Sequence, residues 1–367
     1  MKVVFISGAN SIHTIKWINS LSERGIEVVL ISLKNHKNIE KNINKKVKVK
    51  YLPIAIDGVK GSFLNAFFIN KLIKQENPDI INIHYACSYG VIGKFVKFKN
   101  KLLNVWGSDI YSFPKKSLLR KKILIKTLNS YEYIASTSHC MARETEKYLN
   151  HKKEIYITPF GVDTDLFKKL NNKKEKNKIV IGIVKTLAPT YGIEYLIKAI
   201  KKLKDILEKE IFNKIEVHIY GKGYLEDELK KLTVDLNLEE KIKFLGFIKN
   251  TDVPKAINKM DIFVVPSLEE SFGVAAVEAM ACEIPVIVSD ANGLKEVVVN
   301  NETGFVVPKK NYKAIAERLR ELILDETLRI KFGRNGRKRV LELYNWNNNV
   351  NRMIEIYEQI LGTNKES

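Results

Sequence analysis

The chain has 367 residues, of which 45% are hydrophobic and 28% are charged. This balance excludes an intrinsically disordered chain, and the length favours two globular domains. Three scattered cysteines follow no metal-ligand spacing, so they exclude a disulfide framework and are typical of a reducing cytoplasm. We find no signal peptide and no apolar stretch of about 18 residues, so we expect neither secretion by that route nor a membrane-spanning segment.

Much of the net charge of +20 lies in the first half of the chain. The basic segment 94–126, which starts at Lys94 and ends at Lys126, holds ten basic residues and one acid, Asp109. Only ten of the 62 basic residues are arginine, the side chain that reads bases and clamps phosphates, so specific nucleic-acid binding is disfavoured. Two interpretations of the basic segment remain, namely contact with an anionic membrane surface and a solvated face of a lysine-rich chain.

Apolar runs with strand character alternate with helical periods in the first half, which predicts a parallel sheet with crossover helices. Strands are predicted at residues 3–7, 27–32, 79–84, 102–106, 133–136 and 155–158. A helix is predicted at residues 11–24, because Ile15, Ile18 and Leu21 lie broadly on one side and Gly25 follows. We therefore expect a doubly wound first domain.

A lysine-rich run at residues 168–178 has almost nothing to bury and indicates a domain boundary. We expect a first domain at 1–168, a linker at 169–177 and a second domain at 178–345. The second half predicts strands at 179–184, 216–220, 243–245, 262–266, 285–289 and 304–307, and helices at 191–204, 225–236 and 273–282. Two Rossmann-like domains in tandem predict a cleft between the carboxyl ends of their strands, where open α/β sheets bind ligands.

The segment 266–290 predicts strand, tight turn, helix, turn and strand, with Glu270 in the turn and Glu278 in the helix. Gly273 at the helix entry predicts an anion site, because backbone N–H groups and the helix dipole face the ligand there. Eight helical residues span about 12 Å, which is too far for the paired carboxylates of a glycosidase. Each carboxylate can instead accept hydrogen bonds from a diol, and an exposed helix residue is the alternative interpretation of Glu278.

The run Glu-Ser-Phe-Gly-Val-Ala-Ala-Val-Glu, from Glu270 to Glu278, resembles the E-x7-E signature of retaining glycosyltransferases with the GT-B fold. Its flanks resemble family 4 of those enzymes, notably in Thr303-Gly-Phe-Val-Val-Pro308. The resemblance implies an α/β fold of the GT-B type, with two Rossmann-like doubly wound domains facing a central cleft. It also implies that a closing helix within residues 346–367 packs back on the first domain.

The resemblance further implies retaining transfer of a sugar, of the hexosyltransferase class, from a nucleotide diphospho-sugar, with no cofactor and no bound metal. It places Glu278 on the ribose hydroxyls and gives Glu270 a catalytic role on hydroxyls of the donor sugar. The donor-binding residues that we expect in the second domain are Lys185, Thr186, Tyr191, Gly221, Ser271, Phe272, Gly273, Val274 and Glu278.

The chain departs from the family pattern in two places. Thr186 and Tyr191 stand where the family has an arginine and a lysine that clamp the diphosphate, so Lys185 is either a replacement charge or a solvated loop lysine. Trp106 stands where the family has a histidine, and Asp109 is then either a substitute hydroxyl acceptor or a loop cap.

Polar residues of the first domain complete the expected site. His84 ends one predicted strand, while Gly8 and His13 follow another, so all three lie at the expected cleft edge. We expect Gly8 and His13 to contact the donor, and His84 and Asp109 to be catalytic candidates beside Glu270. A structural histidine is the alternative for each imidazole.

The resemblance thus implies a glycosyltransferase that uses a UDP-sugar, or alternatively GDP-mannose, and extends a glycan or lipid-linked glycan in cell-surface polysaccharide or glycolipid biosynthesis. The protein is expected to be cytoplasmic and peripheral on the inner face of the membrane, which it contacts through the basic segment. A nucleotide-sugar 2-epimerase of the same fold and a non-enzymatic nucleic-acid-binding protein are the alternatives.

Overall fold

The structure is a computed structural model that describes residues 1–37, 42–54, 59–171 and 177–363. The chain divides into two compact units. The first unit combines Met1–Phe160 with the chain from Asn347 onward, and the second unit is Gly161–Trp346.

Within the described residues, the first unit forms a seven-stranded parallel sheet with the order β3-β2-β1-β4-β5-β6-β7. Its strands are β1 Lys2–Ile6, β2 Glu27–Leu33, β3 Lys48–Leu52, β4 Ile80–His84, β5 Lys101–Val105, β6 Tyr133–Ser136 and β7 Ile155–Ile157. The central strand β1 pairs with β2 and β4, with Val4 opposite Val29 and Ile81, and all three side chains are fully buried.

Strand β3 is the one strand of this sheet that the sequence did not predict. It lies at the sheet edge and alternates lysine with apolar residues, so its apolar signal is weak. Lys48 pairs with Glu27 at 3.1 Å, and Lys50 pairs with Glu76 at 2.6 Å, so ion pairs cover this edge in place of apolar packing.

The helices of the first unit are α1 Ile12–Glu23, α2 Val59–Glu76, α3 Tyr89–Lys94, α4 Ser108–Tyr111, α5 Leu118–Leu128 and α6 His139–Glu146. Helix α1 begins at Ser11, whose side chain accepts a hydrogen bond from the amide of Thr14, and ends before Gly25, which has φ +80°. Its buried face includes Trp17 and Leu21, as the apolar spacing predicted.

The second unit repeats the same architecture. In the part of the chain that the structure describes, it holds a six-stranded parallel sheet with the order β10-β9-β8-β11-β12-β13. Its strands are β8 Ile179–Val184, β9 Ile215–Tyr220, β10 Ile242–Gly246, β11 Ile262–Val265, β12 Val286–Ser289 and β13 Gly304–Val307. Its helices are α7 Ile193–Ile206, α8 Lys209–Asn213, α9 Glu226–Asp235, α10 Val253–Ile257, α11 Val274–Ala281, α12 Asn292–Val297, α13 Tyr312–Leu324 and α14 Glu326–Leu343. All six strands coincide with predicted ones to within two residues.

The division between the units falls at Phe160, eight residues before the predicted end of the first domain at residue 168. The following chain is held by the second unit, because Arg337 donates hydrogen bonds to the carbonyls of Thr164 and Phe167. The predicted linker 169–177 falls within the second unit, and its residues 172–176 lie outside the described residues.

The last helix, α15 Trp346–Thr363, packs on the sheet of the first unit. Tyr357 is fully buried, and its hydroxyl accepts a hydrogen bond from the side-chain amide of Asn82. The side-chain oxygen of Asn82 in turn accepts a hydrogen bond from the side-chain amide of Asn104. At the surface, Arg24 donates hydrogen bonds to Asn347 at 2.8 Å and to Asn351 at 3.1 Å. The first unit therefore contains both ends of the described chain.

Each sheet has a point where the strand order reverses direction. In the first unit this switch point lies between β1 and β4, and in the second unit it lies between β8 and β11. Ligands of open α/β sheets bind in the crevice at the carboxyl ends of the strands beside such a point. The loops after β8 and β11 are therefore the first place to look for a site.

Candidate functional site

The loops after β8 and β11 lie together at the switch point of the second unit. The amide of Leu268 donates a hydrogen bond to the carbonyl of Thr190 at 2.7 Å, which joins the two loops directly. Gly192 ends the first loop in the left-handed region at φ +60°, and a Cβ there would overlap the carbonyl of Pro266. The glycine therefore permits the close approach of the two loops.

Lys185 and Glu270 form an ion pair across these loops. The Lys185 Nζ atom lies 2.8 Å from Glu270 Oε2, and the two side chains are only 15% and 13% exposed. The same Nζ atom lies 4.5 Å from the centre of the Tyr191 ring, which is a cation–π contact. Lys185 is thus a sheltered, positioned cation and not a solvated loop lysine, which was the alternative interpretation from sequence.

Opposing effects act on the pKa of Lys185. Burial lowers it, but the Glu270 charge and hydrogen bond raise it, as do the nearby groups of Tyr191 and Glu278. The sum raises the pKa of Lys185 above its ordinary value, so the ammonium form persists at neutral pH. Because Glu278 contributes to this effect, the carboxylate of α11 acts on the same cation as Glu270.

Helix α11 begins at Gly273, which has φ +106° and caps the helix without a side-chain hydrogen bond. Behind this turn, the Phe272 ring is buried edge-on against Tyr344 at 5.4 Å. The turn therefore presents Ser271 and Val274, both half-buried, at the helix N-terminus. Small neighbours surround Glu278, which is half-buried: Ala275, Ala276, Ala279 and Ala281 are all buried.

Three further glycines allow backbone segments of the site to touch. A Cβ on Gly221, which has φ +141°, would overlap the Lys185 carbonyl, and one on Gly223 would overlap the carbonyl of Leu187. Gly293 donates a hydrogen bond to the Glu270 carbonyl at 2.9 Å, and a Cβ there would lie 2.5 Å from the Phe272 amide. Gly221 was predicted as a donor-binding residue, but the space beside its Cα is taken by the chain itself. Gly293 was not predicted, because no motif in the sequence distinguishes it from a turn glycine.

Thr186 and Tyr191 occupy different positions in this site. Thr186 is exposed on the loop after β8, next to Lys185. Tyr191 is half-buried and its ring contacts the Lys185 ammonium. Of the two residues that replace the family's clamp, only Tyr191 therefore contacts the buried cation.

In the first unit, an aromatic cluster lies at the carboxyl ends of β1, β4 and β5. His13 stacks on Phe160, with ring centres 4.0 Å apart, and Trp106 packs edge-on against both rings. His84 is fully buried between Trp106, at 4.6 Å, and Phe5, at 5.1 Å. Among the described residues, neither ring nitrogen of His84 has a hydrogen-bond partner.

Burial gives His84 a strongly lowered pKa of about 3, with a smaller effect from His13. The imidazole is therefore neutral at physiological pH. His84 ends β4 at the carboxyl edge of the sheet, and its side chain has no contact with solvent, which favours the alternative of a structural histidine. His13 is half-buried and is the better placed of the two histidines for a ligand contact.

Asp109 is fully buried, and its carboxylate holds loops together. It accepts hydrogen bonds from the amides of Ala86 and Gly107, both at 2.8 Å, and from the amide of Trp106 at 3.2 Å. Burial raises the pKa of Asp109 even though these hydrogen bonds lower it. The structure thus favours the loop-cap interpretation of Asp109 over a substitute hydroxyl acceptor, because backbone amides already occupy both oxygens.

Gly8 lies in the loop between β1 and α1. Its carbonyl accepts a hydrogen bond from Ser11 at 3.1 Å, and the neighbouring Ala9 amide donates to Ser32 at 3.0 Å. A Cβ on Gly8 would lie 3.0 Å from the side-chain oxygen of Asn10. Gly8 therefore lies in an ordered loop at the switch point of the first sheet, and His13 lies in the first turn of the helix that follows.

The second-unit site joins one cation, two carboxylates and the uncapped N-terminus of α11. A helix N-terminus beside a lysine suits an anion such as a phosphate, and carboxylates suit vicinal hydroxyls. Among the described residues, no group of three or more histidine, cysteine, aspartate or glutamate side chains is arranged to hold a metal ion. Over the same residues, no helix has the length and apolar composition to cross a bilayer.

Two family models match the chain. The model "Glycosyl transferases group 1" matches residues 163–339, which include the whole second-unit site. The model "Glycosyl transferase 4-like" matches residues 2–138 of the first unit.

Known proteins that are similar to this chain agree with both models. An uncharacterized glycosyltransferase of Methanocaldococcus jannaschii is 31% identical over 302 residues, which are 81% of this chain and 80% of that protein. The UDP-Gal:alpha-D-GlcNAc-diphosphoundecaprenol alpha-1,3-galactosyltransferase of Escherichia coli is 28% identical over 308 residues, which are 78% and 77% of the two chains. The structure of sucrose-phosphate synthase from Thermosynechococcus elongatus superimposes with a TM-score of 0.84 at 20% identity, over 99% of this chain and 100% of that one. This last similarity concerns the fold.

Proposed function

This chain belongs to the glycosyltransferases with the GT-B fold, and from that premise we propose that it transfers a sugar, with retention, from a nucleotide diphospho-sugar to a glycan or lipid-linked glycan. The observation that carries the proposal is the Lys185–Glu270 pair at 2.8 Å beside the N-terminus of α11. It joins a group for the diphosphate with a group for the sugar in one sheltered place.

Each side chain of the site has a proposed task. Glu278 accepts hydrogen bonds from the ribose hydroxyls, and Glu270 accepts them from hydroxyls of the donor sugar. The backbone at Ser271, Phe272, Gly273 and Val274 faces the phosphates and the sugar at the helix N-terminus. We propose that these interactions suffice for donor binding without a metal ion.

Lys185 supplies the positive charge that the family takes from an arginine and a lysine. In the structure its ammonium contacts the Glu270 carboxylate and the face of the Tyr191 ring. When the donor binds, the diphosphate takes Glu270's place as the partner of Lys185, and Glu270 becomes available to the sugar hydroxyls. As the bond between the anomeric carbon and the diphosphate oxygen breaks, negative charge grows on the leaving group, where Lys185 and the helix dipole stabilise it.

The donor and the acceptor are proposed from the relatives. The Escherichia coli relative is named for UDP-Gal and for a diphosphoundecaprenol-linked acceptor. We therefore favour a UDP-sugar over GDP-mannose, and an acceptor linked to a lipid on the cytoplasmic side of a membrane. The basic segment 94–126 is then the surface that faces anionic lipid.

Thermal-shift measurements with UDP-, GDP- and ADP-sugars test the proposal, because a ligand that binds the folded state raises the melting temperature. We expect a UDP-sugar to raise it most. Glu278→Ala should abolish the shift, and Lys185→Ala should reduce it strongly, since each removes a donor contact. Lys255→Ala, at a side chain that is 73% exposed in the same unit, is the matched control and should keep the full shift.

Either of two thermal-shift results would contradict the proposal. One is that no nucleotide sugar raises the melting temperature, and another is that Glu278→Ala leaves the shift unchanged. A third contradicting result is the appearance of an epimerised sugar when the donor is incubated without acceptor, which would favour the 2-epimerase instead.

A further inference from the structure

Helix α2 exposes apolar side chains and buries polar ones over its first half. Phe63 is 63% exposed and Phe67 is 70% exposed, and their neighbours Leu64 and Phe68 are also exposed. On the opposite side of the helix, Asn65 is only 1% exposed. A water-facing helix shows the reverse pattern, so this face is suited to a partner that is itself apolar.

Helix α5 exposes a second apolar group at its N-terminus. Leu118 is 80% exposed and Leu119 is 68% exposed. Basic side chains surround them: Lys115, Lys116, Arg120, Lys121 and Lys122 are all exposed. The Arg120 guanidinium lies 5.6 Å from the Phe113 ring, so the cations and the aromatic residues of this segment are in contact.

Both apolar groups belong to the same side of the first sheet. Buried residues of α2, α3 and α5 share one core cluster, which includes Ile69, Ile92 and Leu124, so the three helices cover one face. Each helix follows a strand of a parallel sheet and therefore starts at the carboxyl edge. The exposed residues lie in the first halves of α2 and α5, and the Phe63 ring packs edge-on against Phe95 at the end of α3, with ring centres 5.7 Å apart. We call these six residues the apolar rim: Phe63, Leu64, Phe67, Phe68, Leu118 and Leu119.

The basic segment and α2 each contain a single acid. The only acid of the basic segment, Asp109, is fully buried and bonded to backbone amides. In α2 the only acid is Glu76 at the far end, which pairs with Lys2 and Lys50. The rim and the basic segment thus combine exposed aromatic and aliphatic side chains with exposed lysines, which is the composition of a surface that binds anionic lipid.

We propose that the apolar rim inserts into a lipid bilayer, with the phenylalanines and leucines among the acyl chains and the lysines of the basic segment against anionic head groups. The inference deepens the proposed function and rests on it for its purpose, since a lipid-linked acceptor is presented at such a surface. The sequence suggested only electrostatic attraction between the basic segment and anionic lipid, and the proposal adds insertion of apolar side chains into the bilayer. Insertion requires binding that persists when salt screens the lysines.

Vesicle co-sedimentation of the full chain tests the proposal, with phosphatidylcholine vesicles that either contain or lack phosphatidylglycerol. We expect binding to the anionic vesicles that falls, but does not vanish, at high salt. The double variant Phe63→Ser/Phe67→Ser should lose at least about tenfold in partitioning at both low and high salt, because each buried aromatic ring contributes apolar transfer. The double variant Lys121→Glu/Lys122→Glu should bind more weakly than the unaltered protein at low salt. At high salt the two should bind equally, because salt already screens these charges.

Matched controls lie in the second unit. Phe247→Ser changes a phenylalanine that is 71% exposed, close to the value for Phe67, and should bind vesicles like the unaltered protein. Lys309→Glu/Lys310→Glu makes the same change of charge at two adjacent exposed lysines and should also leave binding unaltered. Melting curves of all variants establish that they are folded.

Three outcomes would overturn the proposal. They are no binding of the unaltered protein to either vesicle, equal loss in Phe247→Ser and Phe63→Ser/Phe67→Ser, and light scattering that shows a dimer which the rim variant alone converts to monomers. The last result would assign the rim to a second copy of the chain. A donor-induced thermal shift retained in every rim variant separates failure of this proposal from failure of the proposed function.

Discussion

At the scale of single residues, burial decides which polar side chains are available for chemistry. Lys185 and Glu270 are sheltered but keep some access to solvent, and each has the other as its partner. Asp109 and His84 have no access at all. The first two can exchange partners when a ligand arrives, whereas the last two are parts of the framework.

His84→Leu should flatten the pH dependence of stability. Because the pKa of His84 is about 3 in the folded state and 6.5 in its ordinary state, the unfolded chain takes up a proton below pH 6.5 that the folded chain refuses. The contribution of His84 to stability is therefore fully present above pH 6.5 and is lost as the pH falls toward 3. Between pH 7 and pH 5, this one group lowers the free energy of unfolding by about 2 kcal/mol. The leucine variant does not have this loss.

Urea unfolding at a series of pH values measures this effect. His151→Leu, at an exposed position, is the control and should follow the unaltered protein. If the free energy of unfolding depends on pH in the same way for His84→Leu and for the unaltered protein, the prediction is wrong, because the folded chain then protonates His84 as readily as the unfolded chain does.

The sequence predicted the carboxylates of the site better than its other parts. Glu270 and Glu278 could be found because strand, turn and helix follow one another in a short segment with a glycine at the entry. The pairing of Lys185 with Glu270 could not, because 85 residues separate them and only the assembled sheet brings them together. The burial of His84 could not be predicted either. The sequence shows that a histidine ends an apolar strand, but it does not show that the rings of Trp106 and Phe5 cover that histidine.

At the scale of secondary-structure elements, the glycines after β8, β9, β11 and β12 set the spacing of the site. Gly221 lets the loop after β9 lie directly on the Lys185 carbonyl, and Gly293 lets α12 lie on the turn that carries Glu270. The strands of both sheets were predictable because buried parallel strands are continuous apolar runs. Strand β3 was not, because Lys48 and Lys50 interrupt it at the sheet edge.

Gly221→Ala should destabilise the second unit and weaken donor binding. The new Cβ would overlap the Lys185 carbonyl at φ +141°, a conformation that alanine disfavours, so the loop must move. We expect a loss on the order of 3 kcal/mol in the free energy of unfolding. Chemical denaturation and the donor-induced thermal shift measure the two effects.

Gly25→Ala separates backbone strain from steric overlap. Gly25 also has a positive φ, +80°, but a Cβ there meets no atom within 4 Å. It should lose only about 1 kcal/mol. Equal losses in the two variants would contradict the view that Gly221 is required for close packing.

At the scale of the whole molecule, the two units differ in how the chain builds them. The second unit is one continuous segment, Gly161–Trp346, with its own core cluster. The first unit needs two separated segments, because α15 covers the polar side chains of Asn82 and Asn104. The sequence-based boundary lies eight residues after the division between the units, since composition reveals the lysine run but not the contacts of Arg337.

The fragment Gly161–Trp346 should fold alone and retain donor binding. It contains a complete sheet together with Lys185, Glu270 and Glu278. We expect a cooperative melting transition that a UDP-sugar raises, as measured by circular dichroism. A fragment that melts without cooperativity, or that ignores every nucleotide sugar while the full chain responds, would show that the donor site depends on residues of the first unit.

The buried contact between Tyr357 and Asn82 bears on how the protein is made in the cell. Ribosomes build a chain from its first residue, and most domains fold in that order at about 5–20 residues per second. Here the earliest sheet stays uncapped on its Asn82 side for on the order of ten seconds or longer, while the 186 residues of Gly161–Trp346 are translated. The later unit can therefore mature first, and the nascent amino-terminal half is the part of this protein that most needs a chaperone.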